Sequence, residues 1–175
     1  TGLVEYGAYT QTIIDSYNNK RIELMARISI LKPDIVGLVE VNPKVASWGL
    51  VSQDFQIPGY TIYDNLSGRG VVLYISDAVG SSEVSVRKYE TSVWSEIKLK
   101  DHNTLLVGVV YRSPNSTDEQ NSQLIEMMEA AVNRKSTHLL IMRDLNFPGM
   151  DWATQTSEGS VQEQQFLEAY QDWFL

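Results

Sequence analysis

The sequence predicts a mixed α/β fold of the α+β kind, on three observations. Three apolar runs of strand length, KPDIVGLVEV (Lys32 to Val41), LLVGVVYRSPNS (Leu105 to Ser116) and HLLIM (His138 to Met142), each pass abruptly into polar residues. Uninterrupted apolar strands of this kind are buried on both faces. Second, Glu83 to Arg87 and Ser92 to Leu99 alternate apolar and polar residues, with Val93, Ser95, Ile97 and Leu99 on one face and Trp94, Glu96 and Lys98 on the other. That period of two marks half-buried antiparallel strands and argues against a doubly wound parallel sheet. Third, stretches with helical spacing separate the strands.

Taken in order, Thr1 to Tyr17 mixes Gly with β-branched and aromatic residues and favours a strand or two with a turn. Asn18 to Lys32 predicts a helix capped by Asn18 or Asn19 and stopped by Pro33. A strand from Ile35 to Val41 follows, and Asn42 to Pro58 is a loop. Tyr60 to Asp64 and Gly70 to Ser76 are two further strands around the turn Asn65 to Arg69. Asp77 to Ser82 is a turn, and Lys100 to Asn103 makes a hairpin into Thr104 to Tyr111. Ser113 to Asp118 is a loop that caps a helix over Glu119 to Asn133, whose stripe of Leu124, Ile125, Met127, Met128, Ala131 and Val132 is core. A strand over Thr137 to Met142 comes next, then a polar, flexible link from Gln155 to Ser160 and an amphipathic helix from Val161 to Phe174. There is no internal repeat and no domain boundary, so residues 1–175 are expected to form one domain.

Length and composition bound the function. With 175 residues, 43% hydrophobic and 21% charged, the chain suits one soluble domain and not a disordered one. No cysteine is present, which excludes disulfides and thiolate metal sites and fits a reducing, intracellular compartment, nuclear or cytoplasmic. No apolar run reaches the roughly 20 residues that span a bilayer, and no leader opens the chain, so no membrane role is expected. The net charge of −8 counts against a strong nucleic-acid binder, because phosphate neutralisation supplies much of such affinity.

The chemistry-bearing residues stand where the apolar strands stop. His138 to Trp152 reads HLLIMRDLNFPGMDW, with Asp144 and Asn146 ahead of a Phe-Pro-Gly turn. Side chains at i and i+2 share a strand face, so a continued strand would aim both at one site. The same residue types also cap turns. The Lys32 to Val41 run ends in a lone acid, Glu40, and the Leu105 run ends in Tyr111 and Arg112.

Three strands that deliver Glu, Tyr and Asp-x-Asn in that order resemble the endonuclease/exonuclease/phosphatase superfamily. The wording KPDIVGLVEVNPK, IPGYTIY, GRGVVLYI, VYRSPNS and DLNFPGMDW looks most like the endonuclease domain of non-LTR (LINE-type) retrotransposons. The resemblance runs from about Asn19 onward, and the family's Gly-Asp-Phe-Asn signature stands here as Arg143-Asp144-Leu145-Asn146. It implies a layered α/β/β/α sandwich of which this chain covers roughly the first two thirds, with an incomplete second sheet. It implies Mg²⁺-dependent phosphodiester hydrolysis (Mn²⁺ as the substitute ion) with DNA as a weakly held partner. Glu40 would hold the metal, Asp144 would orient or deprotonate the attacking water, and Asn146 and Tyr111 would donate to the phosphoryl oxygens. Arg69, Arg112 and Asn115 are candidate substrate contacts, with a solvated loop position as the default for Arg69. Gln11 would stand where the family has an Asn near the metal, with Asp15 as the weaker candidate. The family's closing Ser-Asp-His motif is missing, since His102 and His138 lack its neighbours, so impaired activity is expected. Two other readings remain: a non-catalytic scaffold remnant, and a phosphatase for a small molecule. An incomplete sheet leaves an apolar edge, which predicts a homodimer or swapped oligomer. A continuation of the parent chain into a reverse transcriptase is a further implication of the resemblance.

Overall fold

A computed structural model describes residues 9–13, 17–43 and 51–174. The expectations for residues 1–8, for Asp15 and for the loop around Trp48 lie outside the described residues. The order of elements is β1 (Tyr9–Ile13), α1 (Tyr17–Leu31), β2 (Ile35–Val39), β3 (Tyr60–Asn65), β4 (Val71–Ser76), β5 (Ser81–Glu83), β6 (Ser92–Lys98), β7 (Thr104–Tyr111), α2 (Asp118–Val132), β8 (His138–Asp144), β9 (Met150–Asp151), β10 (Thr156–Ser157) and α3 (Val161–Phe174). These elements fall into two compact units. One comprises Thr1–Val84, Glu90–Tyr111 and Ser136–Asp144; the other comprises Ser85–Tyr89, Arg112–Lys135 and Leu145–Leu175.

The first unit holds two four-stranded sheets, in the orders β1-β2-β4-β3 and β5-β6-β7-β8. β1 runs parallel to β2 and β7 parallel to β8, while β2, β3, β5 and β6 make antiparallel pairs. Mixed α/β architecture with antiparallel ladders is the expected class. The facing sides of the sheets share one core. Ile35, Val39, Leu73 and Ile75 come from the first sheet, and Val93, Ile97, Val107, Val109 and Met142 come from the second. The residues that alternate with these on the first sheet, Val36, Leu38, Val72 and Tyr74, meet Leu24 and Ile28 of α1 together with Phe55 and Ile57. Both faces are therefore covered, which is why IVGLV and VVLYI contain no polar residue. Helix α1 ends as expected. Lys32 turns left-handed (φ 45°) with its N–H on the Ile28 carbonyl, and Pro33 cannot continue the ladder.

Four expectations are corrected. The strand placed over Glu83 to Arg87 is confined to Ser81–Glu83. Its continuation belongs to the second unit, where Arg87 pairs with Glu126 at 2.9 Å and the Ser85 carbonyl accepts from Arg134. The ladder stops because those residues are tied to α2. Strand β6 is not half-exposed: Trp94 is buried, lying over its register partner Gly108, where an added Cβ would come within 2.3 Å of the indole. Residues 155–160 are not a plain link, since β9 and β10 pair as a small hairpin. The Asp151 carboxylate caps its turn, accepting from the N–H groups of Ala153 and Thr154. Those two amides hold the Asp151 carboxyl below the usual carboxylate range. Last, β8 ends at Asp144, so the alternation of a strand does not extend to Asn146.

In the second unit α2 begins with a capping box. The Thr117 hydroxyl accepts from the Gln120 N–H, and the Gln120 side chain accepts from the Thr117 N–H. Leu124, Met127, Met128 and Ala131 are buried, so the Met stripe is core as expected. Phe166 of α3 is buried against Phe147, and Trp152 packs edge-on to it. Among the described residues no helix is long and apolar enough to cross a membrane.

Candidate active site

Glu40 follows β2 directly, in a left-handed conformation (φ 57°) that a side chain with a Cβ rarely adopts. Such strain persists only where the surroundings over-determine it, and here they do. The Val41 N–H bonds the Gly70 carbonyl at 3.4 Å and the Asn42 N–H bonds the Arg69 carbonyl at 2.9 Å. The Asn42 carboxamide donates to the carbonyls of Leu66 and Gly68 at 2.7 and 3.0 Å. Gly70 (φ 70°) has no room for a side chain, since a Cβ would meet Val41 and Asn42 at 2.8–3.0 Å. The end of β2 is thus stitched to the loop that carries Arg69.

Two groups converge on one oxygen of Glu40. The Tyr111 hydroxyl donates to Oε1 at 2.7 Å, and Arg69 Nε lies 3.5 Å from the same atom. Tyr111 is the last residue of β7 and the register partner of Asp144, the last residue of β8. Neighbouring strands present paired residues on the same face. The Asp144 charge acts on the Tyr111 hydroxyl accordingly. Burial first, then the hydrogen bond and charge of Glu40, push the Tyr111 hydroxyl well above its usual range; Asp144 adds to this and Arg69 opposes it. Tyr111 is thereby a neutral donor at every physiological pH. The sequence expected Glu40, Tyr111 and Asp144 at one site; in the first unit Tyr111 bonds Glu40 and is the register partner of Asp144. Arg69 departs from its default as a solvated loop residue, because its side chain is only 17% exposed and pairs with Glu40. Sequence reasoning passed over Asn42; its place two residues after Glu40, with Gly68 and Gly70 flanking Arg69, is the signal that could have found it.

The second unit holds the other candidates. Asn146 is left-handed (φ 45°) and its Nδ2 donates to the Arg112 carbonyl at 2.9 Å. One of its two N–H groups is thus engaged by a carbonyl 34 residues away in sequence, outside its own turn. Arg112 is buried. Its Nε donates to Asn121 at 2.8 Å, its Nη1 donates to the carbonyls of Leu145 and Asn146 at 3.2 and 2.9 Å, and its guanidinium lies 4.0 Å over the Phe147 ring. Burial lowers its affinity for the proton, while Tyr89 and Glu163 act in the opposite direction. Nη1 of Arg112 thus braces the Leu145–Phe147 turn, while its Nε is held by Asn121 of α2. Asn115 lies in the loop before α2, its N–H 3.4 Å from the Ser113 hydroxyl.

Gln11 lies on β1 opposite Gly37 of β2; its side chain is outside the description. Among the described residues no three His, Asp or Glu side chains are grouped to hold a metal ion. A hard ion such as Mg²⁺ does not require such a group, because it keeps several waters and takes one or two carboxylates. Glu40, a single carboxylate following a strand end, is a donor of the kind such an ion takes. His102 and His138 are both exposed and sit where β7 and β8 begin, at the opposite ends of those strands from Tyr111 and Asp144.

Neither a family model nor a curated protein matches the sequence. Solved structures do match in fold. The endonuclease domain of TRAS1, a telomere-specific non-LTR retrotransposon, aligns with a TM-score of 0.68 at 12% identity, over 94% of this chain and 71% of that one. AP endonuclease LMAP from Leishmania major aligns with a TM-score of 0.64 at 12% identity, over 93% of this chain and 65% of that one. The 3′-5′ exonuclease NExo from Neisseria meningitidis aligns with a TM-score of 0.60 at 16% identity, over 94% and 70%. This chain therefore spans about two thirds of the length of these structures, and it has the fold of the endonuclease/exonuclease/phosphatase superfamily.

Proposed function

We propose that the chain carries the phosphodiester-cleaving core of a DNA endonuclease of the retrotransposon type. The observation that supports this most is the Tyr111 hydroxyl on Glu40, 71 residues apart in sequence, with Asp144 the register partner of Tyr111. Glu40 would hold Mg²⁺ or Mn²⁺, with Gln11 as a second ligand. The ion's contribution when bound is to neutralise phosphoryl charge.

The chain's own residues do the rest. Asp144 accepts the proton of the attacking water and orients it. Tyr111, held protonated by its surroundings, donates to Glu40 and fixes the carboxylate oxygen that faces it. The Asn146 carboxamide is proposed as a phosphoryl donor from the resemblance, since a neutral donor suits an anionic oxygen. Arg112 braces the turn that sets Asn146. Neither His102 nor His138 stands by Tyr111 and Asp144, so no imidazole assists the leaving group there. Turnover by this chain is accordingly expected to fall short of a complete site by about 10²–10⁴-fold, the usual range for one general acid.

The test is nicking of supercoiled plasmid in Mg²⁺ or Mn²⁺ by the wild-type chain and by Asp144→Ala. Metal-dependent nicking that drops at least about 100-fold in the variant is expected. Equal residual nicking in both would remove Asp144 from catalysis and leave a scaffold of this fold. Turnover of a simple phosphate monoester without plasmid nicking would instead favour a phosphatase.

A further inference from the structure

Arg69 holds the one carboxylate that the proposed reaction needs for its metal. Its Nε is 3.5 Å from Glu40 Oε1, and both side chains are largely shielded, at 17% and 19% exposure. Neither partner is placed by chance, since the Asn42 carboxamide and the Val41 and Asn42 amides fasten the Leu66–Gly70 loop to the end of β2. A guanidinium and a divalent ion on the same carboxylate are like charges a few ångströms apart in a partly shielded site. Their repulsion there is well above thermal energy.

A guanidinium is also the side chain best shaped for a phosphoryl group, because its planar fork presents paired donors. We infer that Arg69 is the internal counter-ion of Glu40, so that Arg69 and a divalent metal exclude one another until a phosphoryl anion takes the guanidinium. Metal and phosphate then bind cooperatively through Arg69. Because coupling free energies are reciprocal, metal must tighten phosphate by the same factor that phosphate tightens metal. The inference rests on the reading of Glu40 as a metal ligand.

Calorimetric titration of the full chain with Mn²⁺, with and without excess inorganic phosphate and with protein-free blanks, tests it. In the wild-type chain phosphate should tighten Mn²⁺ binding by about fivefold or more. Arg69→Gln should bind Mn²⁺ at least about fivefold more tightly than wild type without phosphate and lose the dependence on phosphate. Arg69→Lys keeps the charge and should stay near the wild-type Mn²⁺ affinity, which separates electrostatics from packing. Melting of each variant is recorded alongside. Should Arg69→Gln fail to fold, the wild-type titration still decides, since Mn²⁺ affinity indifferent to phosphate overturns the coupling. Glu40→Gln distinguishes the two layers. Unchanged Mn²⁺ binding in that variant removes Glu40 as a ligand and the inference with it. Loss of binding in Glu40→Gln, with Arg69→Gln equal to wild type, overturns only the antagonism.

Discussion

At the scale of single residues, the Tyr111 hydroxyl on Glu40 is the contact with the clearest consequences. Tyr111→Phe removes a donor from a largely shielded carboxylate oxygen, which costs about 1–3 kcal/mol of folding stability, read from urea denaturation at neutral pH. The pH dependence has a definite sign. The folded chain holds the Tyr111 hydroxyl above its ordinary value of 10.0, so the folded state retains a proton that the unfolded state releases. Stability from this group is complete below pH 10 and declines as pH rises beyond it. Alkaline denaturation should therefore be steeper in wild type than in Tyr111→Phe. Tyr60, whose hydroxyl bonds the Pro33 carbonyl at 2.7 Å and is also raised, by burial and then by Asp34, leaves a residual slope in both. An identical alkaline profile would mean that Tyr111 is not held as described. The strand-end positions of Glu40, Tyr111 and Asp144 were legible because each closes an apolar run. Arg69 was not, because nothing near it in sequence says which anion it will face.

At the scale of elements, close packing replaces alternation as the deciding factor. Gly108 leaves the space that Trp94 fills across the β6–β7 ladder. Gly108→Ala forces the indole aside and should cost about 1–3 kcal/mol, an overpacking penalty. The Trp94 Nε1 is buried without a hydrogen-bond partner, so adding Trp94→Leu to Gly108→Ala should recover part of the loss. A double variant no more stable than the single one would show that the clash lies elsewhere. The Leu145–Phe147 turn depends similarly on one side chain. Arg112→Leu strips the carbonyls of Leu145 and Asn146 and the Asn121 side chain of their donor. It should cost about 3 kcal/mol, measured by the denaturation midpoint. Helix ends were readable, through Pro33 and the capping loop Ser113 to Asp118. The departure of residues 85–89 from the sheet was not, since Arg87–Glu126 and Arg134–Ser85 are contacts across 39 and 49 residues.

For the whole molecule, charge is the governing quantity. A net charge of −8 with 14 basic residues allows few phosphate contacts. Each contact contributes about 0.9 to the slope of log affinity against log salt. Binding of a short DNA duplex in metal-free buffer, followed by fluorescence anisotropy, should show a slope no steeper than about −3. A slope near −6 would reveal a basic surface that composition does not suggest.

Local pattern settled much by itself. Apolar runs had to become covered strands, three stripes at helical spacing had to become α1, α2 and α3, and acids or hydroxyls had to stand at strand ends. Such features follow from the period of a helix or a strand, which neighbouring residues carry. Tertiary structure alone decided the order β1-β2-β4-β3, the burial of Trp94 and Arg112, and the sharing of one Glu40 oxygen by Tyr111 and Arg69. Those outcomes depend on which surfaces meet through space. A hydrogen bond between residues 71 apart leaves no trace in the spacing of either one's neighbours.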